Sequence, residues 1–224
     1  MKRQYLGDSK DSFKWDYHDH LTNALGFKVL NILLMMTHND NTNEGKTKPD
    51  WFPARSEIIQ FCHELRAERE LSKIISLPTK TSASYKANLH KPGNYLSKKD
   101  RNSYCLDISD HCDQVVFLDP DNGMEPEKKY NEKHVRYSEL SIILDQISNN
   151  SVISVFQHFR RKKFRDDFAR IKERLLAVVP NAHVTAIFWH QLMFVVLGKS
   201  ERTIDNIRQI NRSYKEIYPV EIIK

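Results

Sequence analysis

Asp119, Pro120, Asp121, Asn122 and Gly123 follow directly on the apolar run Val115, Val116, Phe117 and Leu118. The two carboxylates can accept protons or hold a cation, and the amide of Asn122 can both donate to and accept from the edge of a base. The same residue types are ordinary strand terminators and turn formers. Their place at the end of a wholly apolar strand favours the chemical reading, because ligands of open α/β sheets bind beyond the carboxyl ends of the strands. Two other apolar runs end in polar groups: one in Thr37, His38, Asn39 and Asp40, the other in Gln157 and His158. His158 could serve as a general base near neutral pH, with Gln157 orienting a substrate. A lone histidine at a strand end is nonetheless more often structural, and His38 carries less weight still. His18, His20 and His63 fall in helical segments, where exposure or local packing is expected.

Two basic clusters flank the same expected edge. Arg160, Arg161, Lys162 and Lys163, with Arg165 beyond them, follow one strand, and Lys128, Lys129, Lys133 and Arg136 follow another. Both could grip the phosphates of a nucleic acid around a target nucleotide. Charge runs are usually solvated faces, but a cation-rich helix start opposes the helix dipole, which asks for another reason for the first cluster. A second chemistry is also legible. Pro120 and Asp121 followed by Glu127, Lys128 and Lys129 read as the PD…ExK pattern of a metal-dependent nuclease, with Asp121 and Glu127 on the metal and Lys129 on the developing charge. The short gap and the intervening Pro126 weaken that pattern.

Asp119 and Asp121 give a stability test of their own. If they form a site, losing one of two neighbouring carboxylates relieves repulsion and is expected to leave stability unchanged or higher. If they bond local backbone N–H groups as turn formers, each loss is expected to cost ~0.5–2 kcal/mol.

These residues need a scaffold, and the composition allows one. The chain has 224 residues, 40% hydrophobic and 29% charged, enough for one α/β domain with a sizeable core. A formal net charge of +6 raises the prior for a polyanionic partner. Three cysteines, Cys62, Cys105 and Cys112, without a CxxC pair point to free thiols in a reducing cytosol rather than to disulfides or structural zinc, and no metal is expected. The first residues run into polar sequence with no apolar leader, and no apolar run approaches the ~20 residues that span a bilayer. A cytoplasmic location without membrane contact is expected.

The pattern predicts an opening helix over 11–24, with Phe13, Tyr17 and Leu21 on its apolar stripe and Asp8 or Asp11 as N-cap. Spacing of three puts Asp11 and Lys14 on one side of it, expected to face the same cleft as Asp119. The run 27–38 reads as a central parallel strand, 55–75 as a helix, and 76–100 as an excursion from the core or a mobile arm. A short helix over 101–112 is followed by the strand ending at Asp119. Beyond it come a helix at 137–147, a buried strand ending in His158, a helix at 164–179, a pair of strands with no helix between them, and a polar helix over 200–217. Alternating helices and apolar strands imply a parallel sheet covered on both faces, and the final pair must be antiparallel. The expected fold is α/β: a single three-layer Rossmann-like domain with a mostly parallel sheet ending in an antiparallel hairpin.

Gly7, Asp8, Asp11, Lys14 and Trp15 fit a GDxxDxxK pattern followed by an aromatic. With the blocks FLDPDNG and FQHF, the chain resembles a family of uncharacterised bacterial proteins that carry these three blocks in this order. More distantly it is similar to the adenine-N6 methyltransferases of large-subunit ribosomal RNA. Their opening NxxDxxKH is similar to the segment from Gly7 and Asp8 through Asp11 and Lys14. Their DTHAG corresponds to Met36, Thr37, His38 and Asn39, and their DPPY to Asp119, Pro120, Asp121 and Asn122. The resemblance implies the class I methyltransferase fold and an S-adenosylmethionine pocket lined by Gly7, Asp8, Asp11, Lys14, Thr37, His38 and Asp119. It implies a catalytic group at Asp119, Pro120, Asp121 and Asn122; fold order, strand-end polarity and the basic flanks add the expectation of a nucleic acid or nucleotide as substrate, with His158 as candidate base. The chain departs from that pattern twice: Gly45 is the first glycine after Thr37 and His38, and Asn122 stands in place of the aromatic that stacks on a flipped base. A binding protein that uses the same scaffold without catalysis is the third expectation.

Overall fold

The apolar runs form the middle of a mixed sheet. A computed structural model of the chain describes residues 1–39, 45, 47–96, 101–108, 112–158 and 163–223. Every residue of β1 (Val29–Leu33) and β3 (Gln114–Leu118) is buried, as is all of β6 (Val152–His158) except His158. Burial on both faces explains why these strands read as continuous apolar runs rather than as alternations. Successive side chains still point to opposite faces. Leu30, Ile32, Val115 and Phe117 join one core with residues of α1 (Ser9–Leu25), α2 (Ser56–Glu68) and α7 (Glu201–Ile217). Leu33, Val116, Leu118 and Val155 join a second core with α5 (Tyr137–Gln146) and α6 (Phe164–Val178). Helices therefore cover both faces of the sheet.

The strand order is β2-β1-β3-β6-β8-β7-β9, with β2 at Lys86–Leu89, β7 at His183–Trp189, β8 at Leu192–Gly198 and β9 at Glu221–Ile223. β2, β1, β3 and β6 run parallel, while β8 is antiparallel to both β6 and β7. The hairpin expected at the end is present as β7 and β8, and its second strand folds back between β6 and β7. β9 then adds an antiparallel edge to β7. The chain leaves β1 toward β2 and returns to β3 on the other side of β1, so the strand order reverses there. That reversal opens a crevice beyond the carboxyl ends of β1 and β3.

Some expected boundaries move. α1 begins at Ser9, two residues early, because Asp8 wins the N-cap: its side chain accepts from the backbone N–H groups of Lys10 and Asp11. The helix expected to 75 stops at Glu68, where Arg69 takes a left-handed cap, and Leu71–Ser76 continue as a 3-10 turn. The stretch expected as an excursion joins the core instead, supplying α3 (Leu77–Lys80) and the edge strand β2; residues 97–100 lie outside the described ones. The helix expected over 101–112 shortens to α4 (Arg101–Tyr104). Among the described residues, no helix is long and apolar enough to cross a membrane.

Candidate functional site

α1 enters the crevice with its N-terminus and delivers Asp8, Asp11 and Lys14 from consecutive turns. Lys14 Nζ lies 2.9 Å from Asp119 Oδ2 and 3.2 Å from Asp11 Oδ1, and 4.7 Å from the centre of the Phe156 ring. Lys14 is only 4% exposed, so the expected turn toward Asp119 is made inside the protein. Asp11 also receives the Gly7 N–H at 2.8 Å. Burial works against the Lys14 charge, but Asp119, Asp11 and Asp8 together raise its pKa above the ordinary lysine value. Burial holds the carboxyls of Asp8, Asp11 and Asp119 above the usual range, although Lys14 pulls each of them down.

Asp121 sits in the same crevice with different partners. The Met1 ammonium is 3.0 Å from Oδ1, the Thr37 hydroxyl donates to Oδ2 at 2.5 Å, and Lys2 Nζ lies 3.6 Å away. Burial alone would raise Asp121, but the Met1 ammonium, Thr37 and Lys2 bring it below the usual carboxylate value. The Met1 ammonium also donates to the Met35 carbonyl and is lowered by its burial. Neither expectation for the stability of Asp119 and Asp121 variants therefore applies. The two carboxylates hold cations and a hydroxyl distant in sequence rather than local N–H groups, and each has a counter-charge beside it.

Met1, Lys2, Tyr5, Asp8, Lys10, Lys14, Phe156, His158 and Lys133 close around Asp119, Pro120, Asp121 and Asn122 to form a cavity of about 260 Å³. Lys10 Nζ lies 3.2 Å from His158 Nε2, an ammonium donating to a ring nitrogen that keeps its lone pair. Gln157 does not face a substrate. Its Oε1 accepts from the Met124 N–H at 2.9 Å and its amide donates to the His158 carbonyl at 2.8 Å. It thereby pins β4 (Gly123–Met124), which pairs with β5 (His134–Val135), against β6. Gly123 is required by that contact, since a Cβ there would fall 2.3 Å from Gln157 Oε1 and 3.0 Å from Gln157 Cα. Gly123→Ala is expected to break the Gln157 link and tilt Asn122 out of the cavity. Thermal melts should show a loss of at least ~1–2 kcal/mol, the cost of a non-glycine residue in the left-handed region. An unchanged melting temperature would mean the strand pair tolerates the shift.

Of the residues singled out in the sequence, Asp8, Asp11, Lys14, Thr37, Asp119, Pro120, Asp121, Asn122 and His158 gather here or touch a group that does. Gly7 contributes through its N–H on Asp11. His38 does not line the cavity; it is exposed and stacks on Tyr95 at 4.4 Å. Glu127 and Lys129 line a separate groove with Tyr137 and Arg174, whereas Asp121 lines the cavity. Among the described residues no cluster of His, Cys, Asp or Glu is arranged to hold a metal. Asp40, Arg160, Arg161 and Lys162 lie outside the described residues. Lys163 is exposed just before α6, whose first turn carries Asp166 and Asp167, so cations precede that helix and acids begin it.

Sequence reasoning missed Met1, Lys2, Tyr5, Lys10 and Phe156 as lining residues. His18, for which exposure or local packing was expected, takes the second course: it is fully buried, bonded to the Lys14 carbonyl and Ser154, and pushed down to about 3 by its burial. The one available signal was the density of charged residues from Asp8 to Asp19 in a helix that also carries aromatic residues. Asp16 and Asp19, both fully buried, are held by Arg55, Tyr85 and Tyr214 and form a structural ion cluster behind the site.

The arrangement can receive a ligand with both cationic and anionic groups at the strand reversal. Compared with known proteins, the chain matches no protein-family model and no curated sequence.

Proposed function

We propose that this chain is an S-adenosylmethionine-dependent methyltransferase-like protein acting on nucleic acid or a nucleotide, built on a three-layer Rossmann-like scaffold. One observation carries the reading: Asp8, Asp11 and Lys14 of the opening helix converge with Thr37, Asp119 and Asp121 at the point where the strand order reverses. The parallel strands β2, β1, β3 and β6, continued by antiparallel β8, β7 and β9, support it.

The side chains suit that cofactor. Asp8, Asp119 and Asp121 offer carboxylates to its cationic and hydroxyl groups, Lys10 and Lys133 offer cations to its carboxylate, and Phe156 offers a flat apolar wall. The cavity is smaller than the ~300–1,000 Å³ usual for such sites, so an acceptor has to approach from the mouth, where Asn122 is exposed. S-adenosylmethionine, when bound, supplies an electrophilic methyl group. Asp119 and Asn122 would position the acceptor amine and take its hydrogen bonds, since methyl transfer needs alignment more than strong acid catalysis. His158 lines the cavity and would take the released proton at Nε2 in exchange for the hydrogen bond it accepts from Lys10.

Isothermal titration of the folded protein with S-adenosylmethionine should give saturable heat, displaced by S-adenosylhomocysteine and weakened by Asp119→Asn. Absence of heat from folded protein would remove the proposal. Binding without turnover on any nucleic acid or nucleotide would favour the non-catalytic reading.

A further inference from the structure

The hairpin turn between β7 and β8 carries a costly residue. A two-residue loop with a left-handed first position favours glycine there. His190 occupies it instead at φ 50°, with its side chain exposed. Beside it stands Trp51, 54% exposed, with its ring 5.0 Å from the His190 ring and 5.1 Å from the Trp189 ring. Trp51 is held in place by its neighbours. The Pro49 carbonyl accepts the Ser12 hydroxyl of α1, and Phe52 is fully buried, 4.8 Å from Phe13 and 5.0 Å from Trp189. Non-glycine residues in sparsely populated backbone regions cluster at functional positions, and a fixed, exposed indole is a stacking surface.

This shelf lies on the sheet edge that holds the cavity. Leu192 pairs with Trp189 on one side and with His158 on the other. Two strand spacings, ~10 Å, therefore separate Trp189 from His158, and His158 meets Lys10 at the cavity wall. Lys10 and Lys133 line the cavity, in a chain of net charge +6. An aromatic shelf on the edge that holds a lysine-lined cavity fits a polyanion that carries planar rings. A protein partner would need ~1,000 Å² of complementary surface, more than one tryptophan and one histidine supply.

We propose that Trp51 and His190 form a stacking subsite for a nucleobase that flanks the one presented to the cavity, so that the substrate is a single-stranded nucleic acid and not a mononucleotide. The inference rests on the reading under "Proposed function" and selects between the two substrate classes left open there.

The probes are fluorescein-labelled single strands of RNA and DNA, each of about a dozen nucleotides and mixed sequence, followed by anisotropy and by tryptophan emission. Trp15 is fully buried and Trp189 is 4% exposed, so quenching by an added strand reports on Trp51. The wild-type protein should bind at least one of the strands with quenching. Trp51→Ala should weaken binding about tenfold or more, and Trp51→Phe less. His190→Gly should weaken strand binding while raising the melting temperature, a combination that a purely structural histidine would not produce. Strand binding without quenching, or with equal affinity in Trp51→Ala and His190→Gly, overturns the subsite. Failure to bind either strand while S-adenosylmethionine still binds also overturns it and leaves the cofactor reading standing. Failure to bind strand or cofactor removes both.

Discussion

Lys14→Met is expected to be among the most damaging single changes in the protein, and its damage should fade as the pH is lowered. The methionine keeps the length and apolar character of the lysine stem against Phe156, so little packing is lost. The change removes the cation that Asp119 and Asp11 share at 2.9 and 3.2 Å. Breaking a buried ion pair from one side costs ~3–5 kcal/mol, because the other charge stays behind without compensation. Here two aspartates stay behind, with Asp8 close by. For a chain of this length that corresponds to a drop in melting temperature on the order of 10 °C. The sign of the pH dependence follows from the carboxyls. Asp8, Asp11 and Asp119 already lie above their ordinary value because burial penalises their charge. A group raised in the folded state stabilises fully below its unfolded value, and that contribution is lost as pH rises through the folded value. Removing Lys14 raises all three further and extends this window toward neutrality. The variant should therefore be far less stable than wild type at pH 8 and recover part of the difference by pH 5. In wild type the Lys14 contribution is itself present below about pH 10.5 and lost only above it. Melts of both proteins across that range decide the matter. Equal stability at pH 8 would mean that Lys14 is not the counter-ion of the crevice, and the site would lose its centre.

The parts of this fold that were legible in the sequence are those whose physics is local. β1, β3, β6 and the β7–β8 hairpin could be read because strands buried on both faces must be apolar throughout. β2 could not, because Lys86, Ala87, Asn88 and Leu89 form an edge strand whose first residue is exposed, and two apolar residues among Ser and Lys give no period. β9 has only three residues. The Asp119 segment was legible because polar residues stop an apolar strand abruptly, and Asp11 with Lys14 because a spacing of three shares a helix face. The rest of the crevice depends on contacts that no sequence window contains. Lys14 and Asp119 are 105 residues apart, Thr37 and Asp121 are 84, and Lys10 and His158 are 148. Which of the two courses expected for His18, exposure or local packing, it takes depends on the same kind of contact. α1 is covered by the sheet, α2 and α7, so even its polar face is interior, and twelve of its residues are buried. A helix of that kind shows no simple stripe, and its charges must be paired inside the protein rather than solvated.

Gly7→Ala tests whether the opening segment is shaped by a ligand or by the fold. A glycine at this place in the sequence reads naturally as room for a cofactor to approach the backbone. The structure gives it a different neighbour. A Cβ on Gly7 would fall 2.1 Å from the Cys62 carbonyl oxygen and 2.5 Å from the Arg66 nitrogen, both in the backbone of α2, and Gly7 itself has φ +69°. Side-chain motion cannot relieve a clash with helix backbone, so either α2 or the segment before α1 has to move. The left-handed conformation costs a non-glycine residue ~1–2 kcal/mol, and overpacking adds ~1–3 kcal/mol. The melting temperature should fall by roughly 5–20 °C. The same displacement reaches the site, because the Gly7 N–H is bonded to Asp11 Oδ2 at 2.8 Å. Lifting the segment leaves Asp11 with Lys14 alone and pulls the wall of the cavity outward at Tyr5 and Asp8. Ligand affinity and stability should therefore fall together in Gly7→Ala. An alanine variant that melts with wild type yet binds S-adenosylmethionine poorly would reverse the assignment and make Gly7 a point of cofactor approach. Joint loss would make it the contact by which α2 fixes the N-terminal wall of the site.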